Sequence, residues 1–118
     1  MTNLTEDMVA GVETLVETAK ADYRNWMGRP SVNAGNTDVR KNMIAEYEGS
    51  IRYQAGSKYI KVIQRNSVHS FIVNTDKDKK FRKGDILKPA SWAAPARNFA
   101  RGNVLDGDFS CIRWTSAL

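Results

Sequence analysis

KYIKVIQRNSVHSFIV, residues 58–73, is the stretch that decides the fold class. Two runs, 58–63 and 67–73, are rich in Val, Ile, Phe and Tyr, the residues that suit a pleated, half-buried surface. The polar break Gln64-Arg65-Asn66 between them reads as a hairpin turn. Along the second run Val68, Ser70 and Ile72 face one way while His69, Phe71 and Val73 face the other, because strand side chains alternate. Both sets carry apolar groups, so this strand needs cover above and below.

Working outward, residues 51–54 make a short preceding strand, and Ala55-Gly56-Ser57 a turn of hairpin type. Further upstream the period changes from two to 3.6. In residues 6–27, Met8, Val9, Val12, Leu15, Val16, Ala19, Tyr23 and Trp26 recur at spacings of three and four and share one helical face. Thr5 suits the N-cap, and Glu6 and Asp7 sit where the helix dipole favours negative charge. Gly28 and Pro30 stop the helix. Gly11 weakens its interior by up to about 1 kcal/mol, tolerable where another backbone packs closely. After a polar turn at 31–37 a second helix is predicted over 38–48. Val39, Met43, Ile44 and Tyr47 share its face, Thr37 or Asn36 caps it and Gly49 stops it. The two helices should form an antiparallel or crossed hairpin.

Downstream, NTDKDKK (74–80) reads as a solvated turn of mixed charge. Phe81 anchors the chain, and Lys83-Gly84-Asp85 reverses it into a strand at Ile86-Leu87. Val104-Leu105 is a further short strand and Asp106-Gly107 a tight turn. FSCIRW (109–114) is predicted as the last strand, with Phe109, Cys111 and Arg113 alternating against Ser110, Ile112 and Trp114. The expected fold is α+β: a helical part (1–49) packed on a β-rich basic part (50–118) within one domain. Short strands joined by glycine turns favour a small, strongly bent antiparallel sheet or barrel, SH3-like ahead of OB-like.

The chain has 118 residues, ordinary for one domain with its own core. No apolar run approaches the roughly 20 residues that span a bilayer, so no membrane role is expected. The N-terminus lacks a signal-peptide pattern, and Cys111 is the lone cysteine, which fits a reducing, cytoplasmic compartment. Charge is divided unevenly. Residues 1–49 hold five Lys/Arg against eight Asp/Glu, and residues 50–118 hold thirteen against five. The basic half, net +8, points to an acidic partner.

Function concentrates in residues 81–106, FRKGDILKPASWAAPARNFARGNVLD. Arg82, Lys83, Lys88, Arg97 and Arg101 flank Trp92 and Phe99 there, and cations interleaved with aromatics grip phosphates and stack on bases. Lys83, Lys88, Trp92, Arg97, Phe99 and Arg101 are the candidate binding residues. Pro89 and Pro95 stiffen the backbone around Trp92. Arg97 and Arg101, four apart, share a face if 94–100 makes a helical turn, forming one cationic patch with Lys88. The competing reading makes Trp92 and Phe99 apolar lids that hold a long loop in place.

His69 and Cys111 have no partners at metal-ligand or nucleophile spacing, so each reads as a core residue of its strand. Asp85 reads as a turn residue accepting backbone N–H groups. No phosphate-loop, dinucleotide or nucleophile-elbow pattern occurs. No cofactor, no metal and no enzymatic activity are expected.

The strings KGDILKPASW, APARNFARGNVLDG and RWT, preceded by KYIKVI and SVHSFIV, resemble the C-terminal half of small proteins encoded by tailed bacteriophages. The similarity covers about residues 50–116, and more loosely the N-terminal helix. It implies a phage origin and carries over no functional residue. The expected function is a non-enzymatic phage accessory protein whose basic half binds an acidic partner. Nucleic acid is slightly favoured. The alternatives are a module that binds or inhibits a host or phage protein, and a structural or assembly subunit.

Overall fold

The computed structural model describes residues 6–27 and 37–116. Helices α1 (Glu6–Met27) and α2 (Thr37–Ser50) precede strands β1 (Arg52–Ala55), β2 (Tyr59–Gln64), β3 (Ser67–Val73), β4 (Asp85–Leu87) and β5 (Gly102–Asn103). The strands pair antiparallel in chain order. The α+β class, with helices segregated from strands, is the one the sequence requires. With β1 and β5 as its edges the sheet stays open, the sheet form of the expected antiparallel sheet or barrel.

β3 is covered on both sides, as its alternation demands. Ile72, with Ile60 and Val62 of β2 and Ile86 of β4, packs against Met8, Val12, Leu15 and Ala19 of α1, all fully buried. Phe71 and Val73 point the other way, onto Leu87 and Phe81. Between β2 and β3, Val62 pairs with Ser70 but Ile63 with Val68, so His69 is an extra residue at a bulge.

Gly11 has the close neighbour its position called for. A Cβ there would lie 2.9 Å from both Cβ and the carbonyl oxygen of Val104. The helix can approach this backbone only because residue 11 lacks a side chain.

The two helices converge through their C-terminal turns. Tyr23 stacks on Tyr47 with ring centroids 4.3 Å apart, and Arg24 pairs with Glu48. Trp114 lies edge-on to Tyr23 at 5.1 Å and tilted against Trp26 at 5.1 Å. Of the α2 face, Tyr47 is buried, Ile44 is half-buried and Met43 is exposed. The helix runs through Gly49 rather than stopping there, and Ser50 Oγ donates to the Tyr47 carbonyl at 2.8 Å. The caps proposed at Thr5 and Asn36, the stop at Gly28 and Pro30, and the side chains of Thr37 and Val39 lie outside what is described; Thr37 itself is the first residue of α2.

Two strand expectations are corrected. The fifth strand is Gly102–Asn103, and Val104-Leu105 already belongs to the following turn. FSCIRW is not a strand: the Ile112 N–H closes back on the Phe109 carbonyl at 3.0 Å, and neighbours Cys111 and Ile112 are both buried. This segment is held by side chains from distant elements. The Tyr47 hydroxyl donates to Gln64 Oε1 and lies 3.0 Å from the Trp114 carbonyl, while Gln64 Nε2 donates to the Thr115 carbonyl. Asp22 accepts the Trp114 N–H. Among the described residues, no helix is long and apolar enough to cross a membrane.

Candidate functional site

Cross-strand pairing places Gln54, Lys61, Phe71 and Leu87 opposite one another on the sheet face away from α1. Tyr59 shares that face, two residues before Lys61. Phe81 and the loop 88–101 cover part of it. What they leave open is the candidate site.

Trp92 stands at the tip of that loop. Pro89 and Pro95 form an antiparallel bridge, the Ala96 N–H donates to the Lys88 carbonyl at 2.7 Å, and the N–H groups of Ala90 and Ser91 both reach the Ala94 carbonyl at 3.0 Å. The tip is therefore closed by its own backbone, and the indole is 51% exposed. Lys61 Nζ sits 4.5 Å from its ring centroid, a cation–π contact that holds the ring against the sheet. A recess of about 350 Å³ runs beside it, lined by Asn66, Ser67 and Val68 of the β2–β3 hairpin and by Pro89, Ala90 and Ser91.

The helical turn expected over 94–100 does not form. Arg97 and Arg101 consequently share no helix face. Arg97 makes a two-pronged contact with Asp78, 2.9 Å on each side, donates to the Tyr59 hydroxyl, and lies 4.9 Å from the Phe81 ring centroid. Its charge is spent inside the protein. Asp78 also accepts the N–H groups of Lys80 and Phe81, and its side chain is only 2% exposed. The Arg97 guanidinium, followed by these two backbone donors, holds the carboxyl well below the usual carboxylate range. Arg101 instead lies over Phe99, 3.9 Å from the ring centroid, and Phe99 is 53% exposed. The Arg101 Nε is buried without a hydrogen-bond partner.

The other candidates are scattered. Arg82 pairs with Asp106 at 2.5 Å, at the β4–β5 end. Lys83 is half-buried there, its carbonyl accepting from Asn103. Lys88 is exposed at the foot of the Trp92 loop and makes no ion pair among the described residues.

Sequence reasoning missed the cations that do gather. Ser57, Lys58, Thr75, Lys77 and Lys79, with Arg97 and Asp78, line a groove of about 540 Å³ between the β1–β2 turn and the loop after β3. Lys77 and Lys79 had been assigned to a solvated turn. One signal was available: Lys61 interrupts an otherwise apolar strand, and a charged position there marks a face open to solvent.

Groups with latent chemistry are tied into the fold. His69 is buried, its Nε2 donating to the Arg113 carbonyl at 2.6 Å and its Nδ1 accepting from Ser70 Oγ at 3.0 Å. Burial pushes its pKa down. Burial pushes the Cys111 thiol up. Asp85 accepts the Arg82 N–H, the turn role expected of it. Among the described residues, no three or more His, Cys, Asp or Glu side chains are grouped to hold a metal ion.

Residues 2–111 match a family of unknown function (DUF7717). The chain belongs to that family. The residues matched to DUF7717 include both helices and the whole sheet. No curated protein and no solved structure matches the chain.

Proposed function

We propose that this DUF7717 member is a non-enzymatic accessory protein of a tailed bacteriophage, acting in the host cytoplasm, that binds single-stranded nucleic acid across the face away from α1. The observation that carries the reading is Trp92: a half-exposed ring at the tip of a backbone-closed loop, backed by Lys61. A core lid would turn its ring inward. A stacking platform needs a rigid, accessible ring, and base stacking contributes about 1–3 kcal/mol per base. Phe99 under Arg101 offers a second ring of the same kind. The phage origin rests on the Lys-Gly-Asp-Ile-Leu-Lys, Ser-Trp and Ala-Arg-Gly-Asn strings. The non-enzymatic reading is supported by the internal use of His69, Cys111 and Asp85.

The test measures fluorescence anisotropy of a labelled oligothymidine against a duplex of equal length and against poly-glutamate. Preferential binding of the single strand, weakened at least about tenfold (1.4 kcal/mol) by Trp92→Ala, is the expected result. Poly-glutamate binding as tightly, or no effect of Trp92→Ala, would overturn it in favour of a protein-interaction module.

A further inference from the structure

The groove beside β2 has a property the Trp92 site lacks: concentrated positive charge with nothing to neutralise it. Lys58, Lys77 and Lys79 line it, and none of the three makes an ion pair among the described residues. The one carboxylate in the lining, Asp78, is already saturated by the Arg97 fork and two backbone N–H groups and is almost wholly withdrawn from solvent. Its charge does not cancel the lysines. Ser57 and Thr75 add hydroxyl donors, since Thr75 Oγ1 is used only as acceptor, from the Lys77 N–H at 3.1 Å. Lysine ammonium groups with neighbouring hydroxyls are the donor set that takes phosphate oxygens.

The groove is also in line with the ring. Arg97, in its wall, donates to the Tyr59 hydroxyl, and Tyr59 lies two residues along β2 from the Lys61 that backs Trp92. At about 3.3 Å per residue the two positions are roughly 7 Å apart. One extended strand of nucleotides can thus place a base on Trp92 and neighbouring phosphates in the groove.

We propose that this groove is a phosphate-binding site, with Lys58, Lys77 and Lys79 as its cations and Ser57 and Thr75 as its hydroxyl donors, occupied by backbone phosphates of the strand stacked on Trp92. This rests on the nucleic-acid reading for its ligand, while the site itself is defined by phosphate chemistry. Free polyphosphate is the other source of the same groups. Arg97 is a wall of the site, fixed by Asp78.

The experiment is a salt titration of oligothymidine affinity on the full chain. It compares the triple variant Lys58→Ala/Lys77→Ala/Lys79→Ala with Lys20→Ala/Lys41→Ala/Arg113→Ala, which removes the same charge from the helices and the C-terminal segment. For single strands each phosphate contact contributes about 0.7 to the slope of log K on log salt. The groove variant should flatten the slope by about 2 and the other by much less. Equal flattening would reduce the groove to a share of a diffuse field and overturn the proposal. A second arm follows thermal denaturation with inorganic pyrophosphate as the probe. Stabilisation of wild type but not of the groove variant supports the site even if no oligonucleotide binds, an outcome that would remove the nucleic-acid reading alone. Pyrophosphate acting equally on both variants, with equal slopes, rejects the site outright.

Discussion

Asn103 Nδ2 donates to the Asp85 carboxylate at 2.8 Å, joining the Lys-Gly-Asp turn before β4 to the Arg-Gly-Asn segment of β5. The same amide donates to the Lys83 carbonyl at 3.2 Å, and its Oδ1 accepts the N–H groups of Leu105 and Asp106 at 2.7 and 3.1 Å. Gly84 passes this cluster at φ +93°, and a Cβ there would meet Asn103 Oδ1 at 2.8 Å. One buried amide therefore serves the turn that leads into β4 and the turn that follows β5, which bracket the two strands holding the Trp92 loop.

Asn103→Leu should destabilise the fold by about 1–3 kcal/mol, because it strands the Asp85 carboxylate and two backbone donors. Denaturant unfolding of Asn103→Leu, Asp85→Ala and the double variant checks this. The double variant should cost clearly less than the sum, as expected of partners in one network. Additive losses would mean the contact is incidental.

Gly11→Ala poses two effects against each other. Helix propensity favours alanine by about 1 kcal/mol. The new methyl, however, would press on the Val104 backbone at 2.9 Å, and overpacking typically costs about 1–3 kcal/mol. The clash is with backbone and wins, so the midpoint of thermal unfolding should fall. A rise would show that α1 can move off the sheet.

Stability should respond to pH in two separate windows. The folded state holds His69 with a lowered pKa, so protonation favours unfolding; stability falls as pH drops below the unfolded value of about 6.5. Asp78 is also lowered, and its contribution is complete above the unfolded carboxylate value of about 4 and is lost as pH falls beneath it. Unfolding free energies measured from pH 8 to pH 3 should show both declines. His69→Gln should remove the upper one, and Asp78→Asn should shrink the lower one to what Glu48, also lowered by its Arg24 partner, contributes.

The parts legible in the sequence are those where a local period coincides with burial. Met8 to Trp26 repeats at helical spacing and forms α1, and Phe71 against Ile72 marks the two covered faces of β3. The parts that misled are those set by partners far along the chain. Phe109, Cys111 and Arg113 alternate with Ser110, Ile112 and Trp114 as they would in a strand, yet that segment takes its shape from contacts to Tyr47, Gln64, Asp22 and His69 that span 44 or more residues. The site divides the same way. Trp92 at a proline-flanked tip could be read locally, whereas the withdrawal of Arg97 by Asp78 and the gathering of Lys58 with Lys77 and Lys79 needed the sheet to be folded.

The helical part and the sheet should prove inseparable. Ile60, Val62, Ile72 and Ile86 form one apolar face whose cover comes mainly from α1, and Leu15 is fully buried in that cluster. Leu15→Asp puts a carboxylate into this layer with no cation built to meet it, and burying an unpaired charge exceeds the few kcal/mol by which a domain of this size is stable. The variant should lose cooperative thermal unfolding and bind a hydrophobic dye at room temperature. A chain of residues 50–118 should behave alike, since it exposes the same four side chains and loses Tyr47, whose hydroxyl helps hold the C-terminal segment. Were that fragment to unfold cooperatively at the midpoint of the full chain, the Trp92 face would be independent of α1, and the sheet would need another source for its core.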